Sequence, residues 1–145
     1  MSRVINAARA IQRGEMAPPG ITKLLDMHIV DIEAGRVVME LDVDERMANP
    51  MGTLHGGILC DLGDAAMGLA FASTCADDES YATIELTCNF LRPVWKTRLR
   101  ANAHVVHRGK TIGLTECEIL DERQRLIAKL SSTLIVLRGD AAKGR

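Results

Sequence analysis

One segment, Ile58 to Thr74, constrains this chain more than any other. It is built almost wholly from Ala, Leu, Met, Gly, Ile and Phe, with Asp61 and Asp64 as its only acids. Its length and composition predict a helix starting near Gly56. A helix with no polar face must be covered on all sides. The segment falls short of the roughly 18 uninterrupted apolar residues of a membrane span, and its two early aspartates argue against lipid as the cover. Protein must do the covering.

Strands supply it. Met27–Ile32 and Arg36–Val43 are expected to pair across Glu33-Ala34-Gly35, with Val37, Met39, Leu41 and Val43 on one buried face. After the helix, a polar tract at 75–80 leads to four candidate strands, Tyr81–Leu91, Arg98–His107, Thr111–Leu120 and Arg125–Leu137. Turns at 108–110 and 121–124 are short enough for hairpins, which predicts a meander of antiparallel neighbours. Residues 14–20, with Pro18-Pro19, separate an N-terminal helix from a short helical turn at 21–26, and 44–54 reads as a loop. The expected architecture is α+β, an antiparallel sheet wrapped around a long central helix, with a second copy covering what one sheet leaves open. The units are an N-terminal helix and linker over 1–17, the main domain over 18–138 and a frayed tail over 139–145.

Composition excludes several classes. At 145 residues, with 47% apolar and 26% charged residues, the chain is one globular domain. A formal net charge of -1 gives no field for nucleic acid or an anionic membrane surface. Cys60, Cys75, Cys88 and Cys117 fall singly and are expected reduced; Cys60, near the helix start, reads as a packing residue rather than a nucleophile. Arg3, Arg9 and Arg13 superficially suit a transit peptide, but Val4, Ile5, Ala8 and Ile11 form an apolar helical stripe that a docked helix explains, so the cytoplasm is expected. His104 and His107, at i and i+3 on a strand, are expected on opposite faces, which argues against metal. No metal or cofactor is expected.

The chemistry gathers at one loop–helix junction, Asn49-Pro-Met-Gly-Thr-Leu-His55-Gly56-Gly57. Free backbone N–H groups at a helix start, with no side chain on Gly56 or Gly57, suit a developing oxyanion. Asp61 and Asp64 fall about 60° apart on the helix, on a flank continuing to Gly68, Phe71 and Cys75. Ile58, Leu62, Ala65, Leu69 and Ala72 form the neighbouring stripe. Asp64, two turns in, gains little from the helix dipole; buried, it would suit a general base or nucleophile. If the two carboxylates share a pocket, repulsion raises the pKa of one. Each part has a plainer reading, Asp64 as a structural acid, Asp61 as a favourable charge near a helix start, His55 and the glycines as turn residues. Their concentration within sixteen residues favours the chemical one.

The run Asn49-x-x-Gly52-Thr53-Leu54-His55-Gly56-Gly57, with an acid nine positions after the histidine, resembles the hotdog-fold acyl-CoA thioesterases, in particular the phenylacetate-degradation (PaaI-like) type related to 4-hydroxybenzoyl-CoA thioesterases. The resemblance spans about Pro18 to Leu137. It implies a homodimer with joined sheets, active sites at the interface and dimers paired into tetramers. It implies that the Gly56 N–H polarises the thioester carbonyl while Asp64 of the partner subunit activates water or attacks. Asn49 would hold the water or leaving group, His55 would orient the loop, and Thr83 matches a Ser/Thr position at the reacting centre. Gly57 and Asp61 would border the substrate, and Arg92, Arg108 or Lys110 would meet the coenzyme A phosphates. Asp61 departs from the small, apolar or hydroxyl residue usual in relatives. Met51, Met67, Phe71 and Phe90 are candidates for the acyl pocket or for the core. The alternative to an acyl-CoA hydrolase is a non-catalytic acyl-CoA-binding sensor; a hydratase would need an acid–histidine pair that the sequence lacks.

Overall fold

The computed structural model describes residues 2–145; Met1, where the expected first helix would begin, lies outside the described residues. The first helix, α1, runs Arg3–Gln12, with the Ser2 hydroxyl accepting from the Ile5 N–H at 3.2 Å as its N-cap. Ile5 and Ala8 are buried, so the apolar stripe docks as expected. Helix α2 (Gly20–Leu24) follows, then strands β1 (His28–Glu33) and β2 (Arg36–Asp42). A 3-10 turn at Glu45–Met47 interrupts the expected loop, capped by Asp44. The central helix α3 spans Gly56–Ala72, and β3 (Glu79–Phe90), β4 (Arg98–Arg108), β5 (Ile112–Leu120) and β6 (Leu126–Arg138) complete the domain. Gly139–Ala142 form a 3-10 turn where a frayed tail is expected.

The six strands make one antiparallel sheet in the order β1-β2-β4-β5-β6-β3. Strands β4, β5 and β6 meander as their short turns require, but β3 departs from the meander. It pairs with β6, at the far edge, and the connection after Phe90 crosses to β4. The sheet curls around α3, whose Leu59, Leu62, Ala66, Met67 and Ala70 are buried against Val37, Met39 and Leu41 of β2 and Leu99, Ala101 and Ala103 of β4. The buried face of α3 is thus centred on Leu59, Leu62, Ala66 and Ala70. The stripe read from sequence is rotated from it: Ile58, Ala65, Leu69 and Ala72 are only half-buried. Gly68 and Phe71, placed by sequence on the aspartate flank, are buried.

The two sheet edges differ. Along β1, the Gln12 side chain of α1 donates to the Ile29 and Val30 carbonyls at 3.0 and 3.1 Å, covering that edge. Strand β3 pairs with no further strand among the described residues, and Thr83, Ile84 and Glu85 are exposed in succession. A long open edge is a template for pairing with another strand.

At the other end of α3 the sheet approaches so closely that side chains are excluded. A Cβ on Gly113 of β5 would overlap the Phe71 ring, which is fully buried and cannot swing away. Gly113→Ala should cost about 3 kcal/mol through overpacking, read as a lowered chemical-denaturation midpoint; an unchanged midpoint would show that α3 sits more loosely on the sheet.

Candidate active site

The junction before α3 is built from backbone geometry. Residues Asn49–Thr53 form a tight turn with Gly52 at φ 87, a left-handed conformation that glycine adopts without strain. The Asn49 side chain staples it: Oδ1 accepts from the Met51 and Thr53 N–H groups at 3.0 and 3.2 Å, and Nδ2 donates to Thr53 Oγ1 at 2.7 Å. Asn49 is therefore first a loop-shaping residue; the second Nδ2 hydrogen is the only part it has to offer a ligand.

His55 is the N-cap of α3. Four amides at a helix start lack intrahelical acceptors. Here the His55 N–H donates to the Met47 carbonyl at 2.8 Å, the Gly57 N–H to His55 Nδ1 at 3.0 Å and the Ile58 N–H to the His55 carbonyl at 3.0 Å. Only the Gly56 N–H has no acceptor among the described residues. His55 thus orients the loop and occupies the Gly57 donor, leaving Gly57 without a free amide for a ligand.

The Gly56 amide borders a cavity of about 350 Å³ lined by Asn49, Thr53, Leu59, Phe90 and the Leu91–Val94 segment. Arg92 brings a cation to its wall. Phe90 stands directly over Gly56: a Cβ there would lie 2.9 Å from the ring edge. Of the four acyl-pocket candidates, only Phe90 reaches this cavity. Met67 and Phe71 are core, and Met51 is exposed on the turn.

Asp64 is not in that cavity. Eight residues along α3 put it about 12 Å from Gly56, and it is exposed rather than buried. Its Oδ1 accepts from Thr83 Oγ1 at 3.2 Å. Thr83 comes from the open edge strand, where the register with β6 shifts between Thr83 and Glu85. The Ser132 hydroxyl holds this bulge by donating to the Glu85 carbonyl at 3.0 Å. Bulges bend a strand and re-aim its side chains, and here Thr83 faces the carboxylate. Asp61, one turn before Asp64, is half-buried; burial first, and the negative Asp64 second, raise its carboxyl above the ordinary range. Burial, and then the same carboxylate, push Tyr81 up to about 12.

Arg108 and Lys110 lie on the β4–β5 turn, near the other end of α3 from Gly56. Arg108 is engaged internally: it bridges Glu79 at 2.5 Å, donates to Thr74 Oγ1 at 3.2 Å and to the Gly109 carbonyl, and stacks 5.0 Å from the Phe71 ring centroid. Lys110 is exposed. The bulge between Val105 and His107 corrects one expectation: His104 and His107 pair with Glu116 and Leu114, two residues apart on β5, so both rings share one outer face. Among the described residues no group of three His, Cys, Asp or Glu side chains is placed to hold a metal, and no helix is long and apolar enough to cross a membrane.

The thioesterase superfamily model matches residues 51–128, a stretch that includes the Gly56 amide, Asp64 and Thr83. The chain belongs to the thioesterase superfamily. It is 33% identical to the acyl-coenzyme A thioesterase PaaI of Escherichia coli over 73% of this chain and 74% of that protein. To the 1,4-dihydroxy-2-naphthoyl-CoA hydrolase of Listeria monocytogenes it is 30% identical, over 81% of this chain and 95% of the other. The solved structure of E. coli PaaI, from the phenylacetic acid degradation operon, superposes with a TM-score of 0.81 at 27% identity, covering 92% of this chain and 96% of that one. A Haemophilus influenzae thioesterase gives 0.82 at 22% identity, over 95% and 92% of the two chains, which bears on the fold alone. The fold is the hotdog, and the protein is a PaaI-like thioester hydrolase.

In a thioester hydrolase the lone Gly56 amide is the part most sensitive to added bulk. Gly56→Ala should lower kcat/KM by about 10²-fold by forcing the Phe90 ring across the amide. Its melting temperature should stay near wild type, because Phe90 is exposed and can move. Kinetics unchanged by the methyl would remove Gly56 from the site.

Proposed function

We propose that this chain hydrolyses an acyl- or aryl-coenzyme A thioester at sites shared between two copies of itself. The observation that carries this is the separation of the two halves of the chemistry. One end of α3 offers a single unsatisfied amide beside a cavity, and the middle of α3 offers a carboxylate held by Thr83 on an open flank, about 12 Å apart. One thioester cannot touch both in the same chain. Beside that flank runs the unpaired β3 edge, with Ile84 at its bulge 56% exposed. Pairing two β3 edges antiparallel about a two-fold axis would bring two α3 helices alongside each other in opposite directions. Each Gly56 amide would then meet Asp64 of the partner subunit.

In that site the Gly56 N–H, at the positive end of the helix, donates to the thioester oxygen and stabilises the charge that develops there. Asp64 either accepts a proton from water as water attacks, the C–S bond breaking and the proton passing to the leaving thiolate, or attacks the carbonyl itself, expelling the thiolate and leaving a mixed anhydride that water then hydrolyses to the free acid and the regenerated carboxylate. Thr83 fixes the rotamer of the carboxylate. Asn49 keeps the amide-bearing turn in shape and offers its remaining Nδ2 hydrogen to the water or leaving group. Arg92, on the cavity wall, suits a phosphate of the leaving coenzyme A better than Arg108, whose guanidinium is already engaged. The names of the relatives, a phenylacetate-operon thioesterase and a naphthoyl-CoA hydrolase, favour an aryl acid as the acyl group.

Thiol release from a panel of short, medium, long and aryl acyl-CoAs tests the reading, with Asp64→Ala beside wild type. Loss of the carboxylate should cut kcat by 10²- to 10⁴-fold, the range for a removed acid–base group, without changing oligomer size. Near-normal turnover in the variant would take Asp64 out of the mechanism. Binding of acyl-CoA without turnover in wild type would make the protein a sensor.

A further inference from the structure

Strand β3 turns a different set of positions to α3 on each side of its bulge. Beyond the bulge, Leu86 and Cys88 pack against the core, and Phe90 stands over Gly56. Before it, the Tyr81 ring meets Phe71 edge-on at 5.9 Å, and a Cβ on Gly68 would lie 2.5 Å from the Tyr81 hydroxyl. Thr83, two residues later, reaches Asp64. The positions facing the helix are thus 81 and 83, then 86, 88 and 90. The parity changes where the register moves from Thr83 opposite Leu134 to Glu85 opposite Thr133. Side chains alternate along a strand, so a slip of one residue exchanges its two faces. With Leu86 to Phe90 held in place, a strand without the bulge would turn Ile84 and Ala82 to α3, and Thr83 and Tyr81 away. Isoleucine has no donor to offer a carboxylate.

Within the chain, β6 is the one strand beside the bulge. Ser132 lies between Leu130 and Leu134 on the buried face of β6, and Thr115 lies between Gly113 and Cys117 on the buried face of β5. The two residues stand directly opposite each other, and both are 0% exposed. A buried hydroxyl is unfavourable unless it is hydrogen-bonded, and alanine or valine would fill the same space beneath an apolar helix. Here both hydroxyls are bonded to backbone. Thr115 Oγ1 donates to the Ser132 carbonyl at 3.3 Å, and Ser132 Oγ donates to the Glu85 carbonyl at 3.0 Å. The two bonds run sideways across three strands, from β5 through β6 to the residue that closes the bulge. A regular ladder uses neither, because its bonds join backbone N–H to backbone carbonyl.

We infer that Ser132 is a positioning residue for Asp64: its hydroxyl holds the β3 bulge, and the bulge keeps Thr83 rather than Ile84 against the carboxylate. Thr115 steadies Ser132 from β5. The effect on turnover rests on the hydrolase reading; the choice of register does not.

Tyr81 is the chain's one tyrosine, and it changes faces together with Thr83, so it reports the register without any turnover. Protein labelled with 3-fluorotyrosine should give one buried 19F signal in the wild type. In Ser132→Ala the Glu85 carbonyl loses its side-chain donor, which should shift the register about a hundredfold and move most of the signal to a second, solvent-exposed position. The same variant should lower kcat about fivefold, in step with the signal that stays buried, and leave KM within twofold of wild type. In a Thr83→Val background, Ser132→Ala should lower kcat less than twofold further, because its effect passes through Thr83. A single unchanged 19F signal overturns the inference. So does a loss of kcat that multiplies with that of Thr83→Val, the mark of a general structural role. If the wild type cleaves no thioester while Ser132→Ala still moves the signal, the register lock stands and the hydrolase reading falls.

Discussion

The start of α3 leaves four amides without helical acceptors, and the chain satisfies three of them from its own loop. His55 does most of this, giving its carbonyl to Ile58 and Nδ1 to Gly57 while its own amide goes to Met47. The remaining donor, on Gly56, is aimed by the same bonds that occupy its neighbours. In the proposed site an amide held in this way would need no reorganisation when charge appears on a substrate oxygen. The Asn49 staple serves the same end one turn earlier, since without it the 49–53 turn would be free to carry the helix start elsewhere.

The second constraint is the unequal treatment of the sheet edges. Edge β1 is closed by Gln12 of the docked first helix, while β3 is left open next to the uncovered flank of α3. The open edge holds the bulge that aims Thr83 at Asp64. Exposed apolar surface, unpaired backbone groups and the carboxylate therefore occupy one face of the domain. A second copy on that face would bury the first, pair the second and bring the third to a substrate.

Much of the fold could be read from local pattern. The alternation of Val37, Met39, Leu41 and Val43 and the short turns around β5 predict the strands and hairpins found, and the apolar run from Ile58 predicts the central helix. The loop–helix junction was legible because its parts are consecutive. What escaped the sequence is what depends on distant partners. β3 ends at Phe90 and pairs with β6, which begins only at Leu126, and nothing local to Tyr81–Phe90 records that choice. Asp64 reads as buried from its apolar neighbours, yet the neighbours point elsewhere. The β4 bulge reverses the faces of His104 and His107, because one extra residue shifts a period of two. Arg108 reads as an available cation until Glu79 and Phe71 are folded against it.

The central claim is that each site takes its amide from one copy and its carboxylate from the other. Mixing two inactive variants, Gly56→Ala and Asp64→Ala, by co-refolding tests it. In hybrid dimers one site has both defects and the other has neither, so random pairing of equal amounts should restore about a quarter of the wild-type sites. Recovery to that level is the predicted result. Activity no higher than that of the two variants measured apart would show that Gly56 and Asp64 act within one chain, or that one of them does not act at all.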